Sequence, residues 1–223
     1  MTLLAIDSFS ERLSVALLNG ESFFSAHEDG LKHSERLMDL TDDLFKQAEI
    51  TPSCLNGVLC MEGPGSFTGL RIAYSACKGL SLSLSIPFAA IPTSECIAHS
   101  LKNKDTILTL INARKNAWFY AFFNNEKRLC PDADGDYPQI EKDINIYKKH
   151  DEKIILTGPG SSLFYEAAPQ CNKDIFIIKN VNEGYAKDLI SIALEKNVFE
   201  KDNSQFLFSG PQYLRKSDAE LNS

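Results

Sequence analysis

A glycine-rich stretch between an apolar run and a helical pattern has the residues needed to hold an anion. Gly57–Cys60 is typical of a buried strand, GPGS follows shortly after it, and a helix-like pattern begins at Phe67. Free amides and the helix dipole at such a junction favour a phosphate group. The candidate residues of this phosphate-like loop, with an aspartate at the end of an earlier apolar run, are Asp7, Gly63, Gly65, Ser66, Thr68 and Gly69.

The spacing of this loop matches neither of two common nucleotide-binding fingerprints. A P-loop needs G-x-x-x-x-G-K-[ST], but Thr68 stands five positions after Gly63, and Gly69 is followed by Leu70 rather than lysine. The dinucleotide pattern G-x-G-x-x-G also fails, because the three glycines form GxGxxxG. A tight strand-to-helix turn accounts for the same residues, so both interpretations stay open.

Asp7 and the four histidines are the other candidates for chemistry. Asp7 ends the first apolar run, where sugar-kinase-like folds bind metal or phosphate, but an aspartate there can equally cap a turn. The histidines (His27, His33, His99 and His150) form no HExxH or HxxxH pair, and no GxSxG or Cys–His signature is present. The spacing therefore predicts neither a catalytic residue nor a metal ligand.

Small residues recur along one side of the helix predicted over Phe67–Leu84. They are Gly69, Ala73, Ala76, then Gly79 or Leu80, and Ser83. Glycine inside a helix costs up to about 1 kcal/mol relative to alanine, so its presence needs a compensating reason. Close packing on the chain's own sheet and close packing on another subunit are both compatible with this pattern.

The elements that must position these residues read as strands first and then as alternating helices and strands. The order β-β-β-α-β-α-β-α predicts an α/β fold, a mixed sheet with helices on its faces. The second half repeats the start of this pattern in abbreviated form, and 124–151 reads as loop and irregular structure. We therefore predict an N-terminal subdomain over 1–102 and an abbreviated C-terminal subdomain with a polar tail over 103–223.

Composition narrows the class of protein. The net charge is −7 and there is no block of lysine and arginine, which disfavours an autonomous nucleic-acid-binding protein. The N-terminus lacks the basic region of a signal peptide, and no apolar stretch approaches the ~18 residues that span a bilayer. The six cysteines contain no CxxC pair, which favours free thiols and a cytoplasmic location.

The segment GPGSFTGLRIA (63–73) resembles the hallmark of the TsaB (YeaZ) family. Matching pieces are LLAIDSFSERLSVALL at the start, HSERLMDL (33–40), GLSLSLSIPFAAIPTSE (79–95) and PQYLR (211–215). The resemblance implies the ASKHA fold of actin, sugar kinases and Hsp70, with two related β-β-β-α-β-α-β-α subdomains, the second abbreviated. It also implies a non-catalytic partner of the TsaD transferase in the tRNA modification threonylcarbamoyladenosine.

The resemblance further implies how the chain assembles. The expected partners are TsaD in a heterodimer, the ATPase TsaE in a ternary complex, and a second copy when TsaD is absent, with tRNA bound only indirectly. No tightly bound cofactor is expected, although ATP could bind at the complex interface. The first two helices are expected to form the partner interface, with the residues His33, Arg36, Leu37, Leu40, Leu44, Gly69, Ala73, Ala76 and Leu80.

Departures from catalytic relatives bear on this expectation. Those relatives carry a His-x-x-x-His metal pair where this chain has Thr93 and Ile97, and typical family members read Asp-Ala-Arg where it has Asn112-Ala113-Arg114. The loop at 157–161 resembles a second phosphate loop. The rival functions are an independent ASKHA-type ATPase or small-molecule kinase, using Asp7 and the 63–69 loop, and a metalloprotease, which lacks a ligand motif.

Overall fold

A computed structural model describes residues 1–30, 32–101, 105–124, 127–149, 152–181, 183–200 and 204–215. The chain divides into two compact units. The first unit contains 1–96 and 183–212, and the second contains 97–182 and 213–223. The predicted boundary at 102/103, His150 and the tail beyond 215 lie outside the described residues.

The first unit contains a mixed five-stranded sheet in the order β3-β2-β1-β4-β5. β1 pairs antiparallel with β2 and parallel with β4, so the short hairpin is followed by helical crossovers, as predicted. Register places Ser14 opposite Asp7 and Cys60 opposite Ile6. The strands are β1 Thr2–Asp7, β2 Arg12–Asn19, β3 Ser22–Asp29, β4 Gly57–Gly63 and β5 Phe88–Pro92.

Helices cover both faces of this sheet, because side chains alternate between the faces and those of β1 are buried on both. Leu4 and Ile6 of β1 pack in a core cluster with the first two helices, and the alternate residues, Asp7 among them, face the sixth helix. Ser66 caps the second helix by accepting a hydrogen bond from the Gly69 amide. The helices with residues in this unit are α1 His33–Gln47, α2 Phe67–Leu84, α3 Thr93–His99, α6 Ala186–Glu195 and α7 Ser204–Phe208.

The second unit repeats a smaller version of the sheet. Its strand order is β11-β10-β6-β7-β8, with β9 pairing with β7. An aromatic core around Phe164 and Trp118 fills one face. The elements are β6 Thr106–Asn112, β7 Ala117–Asn124, β8 Lys127–Arg128, β9 Ala133–Asp136, β10 Ile154–Thr157, β11 Phe176–Ile178, α4 Tyr137–Tyr147 and α5 Ser161–Ala167.

The structure corrects one prediction and differs from another. The stretch 124–151, predicted as loop, contains β8, β9 and α4; Asp136 caps α4 through the Gln139 amide, and Ile140 and Ile144 face the core. The predicted second subdomain included 183–212, whereas this segment belongs to the first unit, because α6 packs on β1 and β2. None of the helices in the described residues has the length and apolarity to cross a membrane.

Candidate functional site

The carboxylate of Asp7 lies at the end of β1 and is completely buried. Its Oδ2 atom accepts a hydrogen bond from the Ser14 hydroxyl at 2.9 Å and another from the Tyr185 amide at 2.9 Å. The Ser14 hydroxyl oxygen in turn accepts from the Ala186 amide at 3.2 Å. Two amides at the start of α6 are therefore held by this Asp7–Ser14 pair.

Burial raises the pKa of Asp7 to about 6, because desolvation disfavours the charged carboxylate. The Tyr185 amide, the Ser14 hydroxyl, the Phe9 amide and His33 partly oppose this rise. The Oδ1 atom has no hydrogen-bond partner of regular geometry among the described residues. An ionised Asp7 is consequently costly, and the positive end of the α6 dipole compensates it only in part.

Gly184 permits α6 to approach this closely. It has a φ of +79°, and a Cβ at this position would overlap the side chain of Ser14 and lie 3.3 Å from Asp7 Oδ2. Any larger residue would therefore displace α6 from the strand ends. Within this unit Asp7 anchors α6, and its Oδ2 atom is already hydrogen-bonded to two protein donors.

The loop over 63–69 is likewise bonded within the first unit. The Ser66 amide donates to the Phe9 carbonyl at 2.7 Å, and the Ser8 hydroxyl donates to the Gly69 carbonyl at 2.7 Å. A Cβ at Gly69 would overlap the Ser8 carbonyl oxygen, and one at Gly65 would lie 2.7 Å from Phe9 Cβ. The glycines thus allow α2 to begin directly against the β1–β2 turn, and Thr68 is exposed.

Replacing Ser66 by alanine should destabilise the chain by about 1 kcal/mol, because the Gly69 amide loses its side-chain cap. This corresponds to a fall of roughly 2–4 °C in the unfolding temperature, measurable by calorimetry. The matched control is Ser75→Ala, at an exposed interior position of the same helix, which should leave the temperature unchanged or raise it. Equal effects of the two substitutions would contradict the capping role.

The outer surface of α2 carries an exposed row of mostly small residues. Helical geometry of 3.6 residues per turn places its members within a sector of about 80°. We call this row the α2 stripe; it consists of Thr68, Arg71, Ser75, Gly79 and Leu82. Leu82 is 68% exposed, and on the neighbouring α1 the side chain of Met38 is 52% exposed. A Cβ at Gly79 would meet no atom within 4 Å.

Comparison with known proteins places this architecture in a family. The family model described as TsaD, tRNA N6-adenosine threonylcarbamoyltransferase, matches residues 28–223. The tRNA threonylcarbamoyladenosine biosynthesis protein TsaB of Buchnera aphidicola subsp. Acyrthosiphon pisum is 32% identical over 222 residues, which cover 95% of this chain and 96% of that protein. The chain belongs to the TsaB (YeaZ) family.

Other members of the TsaB family agree in sequence and in fold. TsaB of Bacillus subtilis is 28% identical over 167 residues, 73% of each chain. YeaZ from Pseudomonas aeruginosa has a TM-score of 0.77 at 23% identity, over 96% of this chain and 99% of that one. The α/β ASKHA fold predicted from the resemblance is confirmed.

The structure divides the interface residues predicted for this TsaB-family chain into buried and accessible groups. The apolar residues of α1 and the first two small residues of α2 are buried within the first unit, namely Leu37, Leu40, Leu44, Gly69 and Ala73. Ala76 and Leu80 are half-buried and pack against the same core. That these helices pair with a partner stays a prediction, but the side chains that can reach one are those of the α2 stripe and the outer face of α1.

The two polar residues predicted for this interface are bonded within the unit. Arg36 donates to Glu28 at 2.9 Å and to Asp39 at 2.6 Å, while the ring of the buried His33 lies 3.2 Å from the Glu11 carbonyl oxygen. Arg36 is half-exposed and can be reached from solvent, whereas His33 is buried. Arg36 thus links α1 to β3, and His33 links α1 to the residue that precedes β2.

In the second unit the loop at 157–161 is packed inward. The Trp118 indole N–H donates to the Gly160 carbonyl at 3.1 Å, and the Ser161 hydroxyl donates to Asn180 at 2.8 Å. Thr157 and Ser161 are fully buried. This TsaB-family loop therefore presents few accessible polar groups of its own.

A cluster at the β6–β7 turn was not anticipated from the sequence. Arg215, in the PQYLR segment, forms a two-pronged ion pair with Asp134, donates to the Ala113 carbonyl and stacks over Phe119. The Asn112 side chain accepts from the Arg114 amide at 2.8 Å and supports a turn with three consecutive left-handed residues. The family match at PQYLR included Arg215, but nothing in the sequence indicated that Asp134, 81 residues earlier, is its partner.

No group of three or more His, Cys, Asp or Glu side chains in the described part of the chain is arranged to hold a metal ion. Thr93 and Ile97, which stand where catalytic relatives carry histidines, are both buried. The thiols of Cys60 and Cys96 are also buried, and desolvation raises their pKa well above the ordinary value. These thiols have the environment of core residues rather than of nucleophiles.

Proposed function

We propose that this chain acts in tRNA threonylcarbamoyladenosine biosynthesis as a non-catalytic partner subunit of a TsaD-type threonylcarbamoyltransferase. The relatives named above are tRNA threonylcarbamoyladenosine biosynthesis proteins, and the family model is that of the transferase itself. The observation that carries the partner role is the exposed α2 stripe around Gly79. Glycine there costs up to about 1 kcal/mol of helix stability, and no neighbouring atom in the unit requires it.

A close helix–helix contact with another subunit would require a glycine at position 79. Small side chains let two helix backbones approach, and the exposed Leu82 within the row and Met38 on the neighbouring α1 supply apolar area. The outer surface of α1 adds charged residues that form a polar rim, which is the usual composition of a non-obligate interface. The α1–α2 surface is therefore the place where we expect the transferase to bind.

Support for the non-catalytic part comes from Asp7 and from the 63–69 loop. The Asp7 carboxylate is bonded to Ser14 and to α6, and the Ser66 amide is bonded to Phe9. In a phosphate site these groups would face the ligand. An independent ATPase or kinase would have to displace α6 to use Asp7, so we favour the scaffold role.

Charge supports indirect contact with tRNA. The ranges of the first unit, 1–96 and 183–212, hold 17 acidic and 9 basic residues, a net charge of −8. Because affinity for RNA depends on neutralising phosphates with lysine and arginine, this unit is poorly suited to bind tRNA alone. We propose that TsaD contacts the tRNA, that TsaE joins the pair, that the free chain self-associates through the same surface, and that any ATP binds at the complex interface.

Omission of this chain from a reconstituted reaction should abolish modification. The reaction contains the cognate TsaD and TsaE, a separate enzyme that makes threonylcarbamoyl-adenylate, ATP and a tRNA that decodes ANN codons, and mass spectrometry measures threonylcarbamoyladenosine. We expect modification only when the chain is present, and calorimetry of the isolated chain should detect no ATP binding at millimolar nucleotide. Full modification without the chain would contradict the partner role, and ATP binding by the isolated chain would favour the kinase or ATPase alternative.

A further inference from the structure

The segment 204–212 forms a strap over one edge of the first unit. Phe206 and Leu207 pack against the core, with the Phe206 and Phe88 ring centroids 6.0 Å apart. The Gln212 amide donates to the Glu62 carbonyl at 2.7 Å, and the Gln212 carbonyl approaches Gly63 so closely that a Cβ there would overlap it. The strap is therefore attached both at α7 and at the loop from which α2 begins.

A third attachment joins the strap to the side of α2. The Lys78 ammonium donates to the Ser209 carbonyl at 2.5 Å. Leu82 follows Lys78 by one helical turn on the same side of the helix, and side chains at this spacing are neighbours. The Lys78 ammonium also lies over the Tyr74 ring, so the strap is held on the side of α2 that carries Lys78, which is also the side that carries Leu82.

Phe208 is the feature of the strap that the fold of this unit does not explain. Its side chain is 88% exposed, although Phe206 and Leu207 beside it are packed against the core. Phe208 immediately precedes Ser209, whose carbonyl is bound by Lys78. An aromatic side chain projecting from an anchored segment is the kind of residue that dominates binding energy when a partner covers it.

The size of the α1–α2 surface also points to an additional contact. α1 exposes eight residues and α2 exposes six, and seven more are half-buried, but these residues are spread around both helices and one partner surface cannot cover all of them. A stable interface buries about 20–30 residues on each side. The two helices alone therefore provide too little surface for a stable heterodimer, and the adjoining strap lies on the accessible flank where the surface can extend.

We propose that the strap is the third part of the docking surface for the TsaD-type transferase, with Phe208 as an apolar anchor on the side of α2 that carries Leu82. This inference rests on the proposed function, because it assumes that the α2 stripe binds that partner. The strap attachments hold Phe208 in place before binding, so that little conformational entropy is lost on association.

The variant Phe208→Asp tests this assignment. Because Phe208 is exposed, the free chain should keep its unfolding temperature, whereas the dissociation constant for the cognate TsaD, measured by calorimetry, should rise about 30-fold or more. The matched control is Ile146→Asp on α4, which replaces another exposed apolar residue, 69% exposed, by the same charge. This control should bind TsaD as the unchanged chain does.

Three outcomes separate the proposals. Weak binding by Phe208→Asp with normal binding by Ile146→Asp supports the strap. Normal binding by Phe208→Asp, while Leu82→Asp weakens binding, overturns the strap assignment and leaves the α2 stripe as the interface. Failure of the unchanged chain to bind TsaD overturns the proposed function itself.

Discussion

Replacing Gly79 by arginine is expected to weaken pairing with TsaD about 30-fold or more while making the free chain slightly more stable. A Cβ at Gly79 has open space in the unit, so the substitution removes a helix-destabilising glycine, a gain of about 0.5–1 kcal/mol. The same side chain would occupy the space into which a partner helix must enter, and loss of a central contact costs 2 kcal/mol or more. Gel filtration of the mixture and calorimetric titration measure the pairing, and thermal unfolding measures the stability.

The opposite direction of these two effects distinguishes an interface from a structural role. Asn145→Arg adds the same side chain at an exposed position of α4, and it should leave pairing unchanged. Gly79→Ala should also stabilise the free chain, with a smaller loss of affinity because only one carbon is added. If Gly79→Arg co-elutes with TsaD as tightly as the unchanged chain, the α2 stripe is not the contact.

Replacing Asp7 by asparagine should remove a pH dependence of stability worth about 3 kcal/mol. The pKa of Asp7 is about 6 in the fold and 3.8 ordinarily, so the folded state binds more protons between these values. Stability therefore falls as the pH rises from about 4 to 6, and the loss remains at higher pH. The asparagine carbonyl can still accept from Ser14 and the Tyr185 amide, but it does not titrate.

Urea unfolding followed by circular dichroism at pH 4, 5, 6 and 7 measures this difference. The free energy of unfolding of the asparagine variant, relative to the unchanged chain, should rise by about 2.4 kcal/mol between pH 4 and pH 7, because the rest of the effect falls below pH 4. Asp42→Asn, at an exposed position of α1, controls for the removal of one negative charge. Parallel pH profiles for the unchanged chain and Asp7→Asn would show that the Asp7 carboxylate is not the buried group described above.

The elements of the first half could be predicted because each carries its own local signal. The hairpin Thr2–Asn19 alternates apolar runs with a turn, and α2 begins at a serine cap followed by a helical pattern. In the structure this hairpin places Asp7 opposite Ser14, in a register of the kind that the apolar pattern and the turn set together. In such segments local propensity and burial favour the same secondary structure, so tertiary contacts do not alter the structure that the local pattern predicts.

The stretch 124–151 was predicted wrongly because its charges hid its periodicity. Asp136 followed by Tyr137 and Pro138 is a helix-start signal, and Ile140 and Ile144 are spaced for one buried face. The aspartates at 132, 134 and 136 suggested a solvated loop. In the structure Asp136 caps α4, while Asp134 binds Arg215, a contact that no local pattern could reveal.

The sequence by itself determined the family, the fold class, the glycine loop and the small residues of α2. The tertiary structure alone decided what these residues can do, because function depends on which atoms face solvent and which are already bonded. It bonded Asp7 to α6, a segment 178 residues further along the chain. It buried Leu37 and Leu44 in the core and left Gly79, Leu82 and Phe208 exposed. Packing and long-range hydrogen bonds join residues that are far apart in the sequence, and a local periodic pattern carries no information about such pairs.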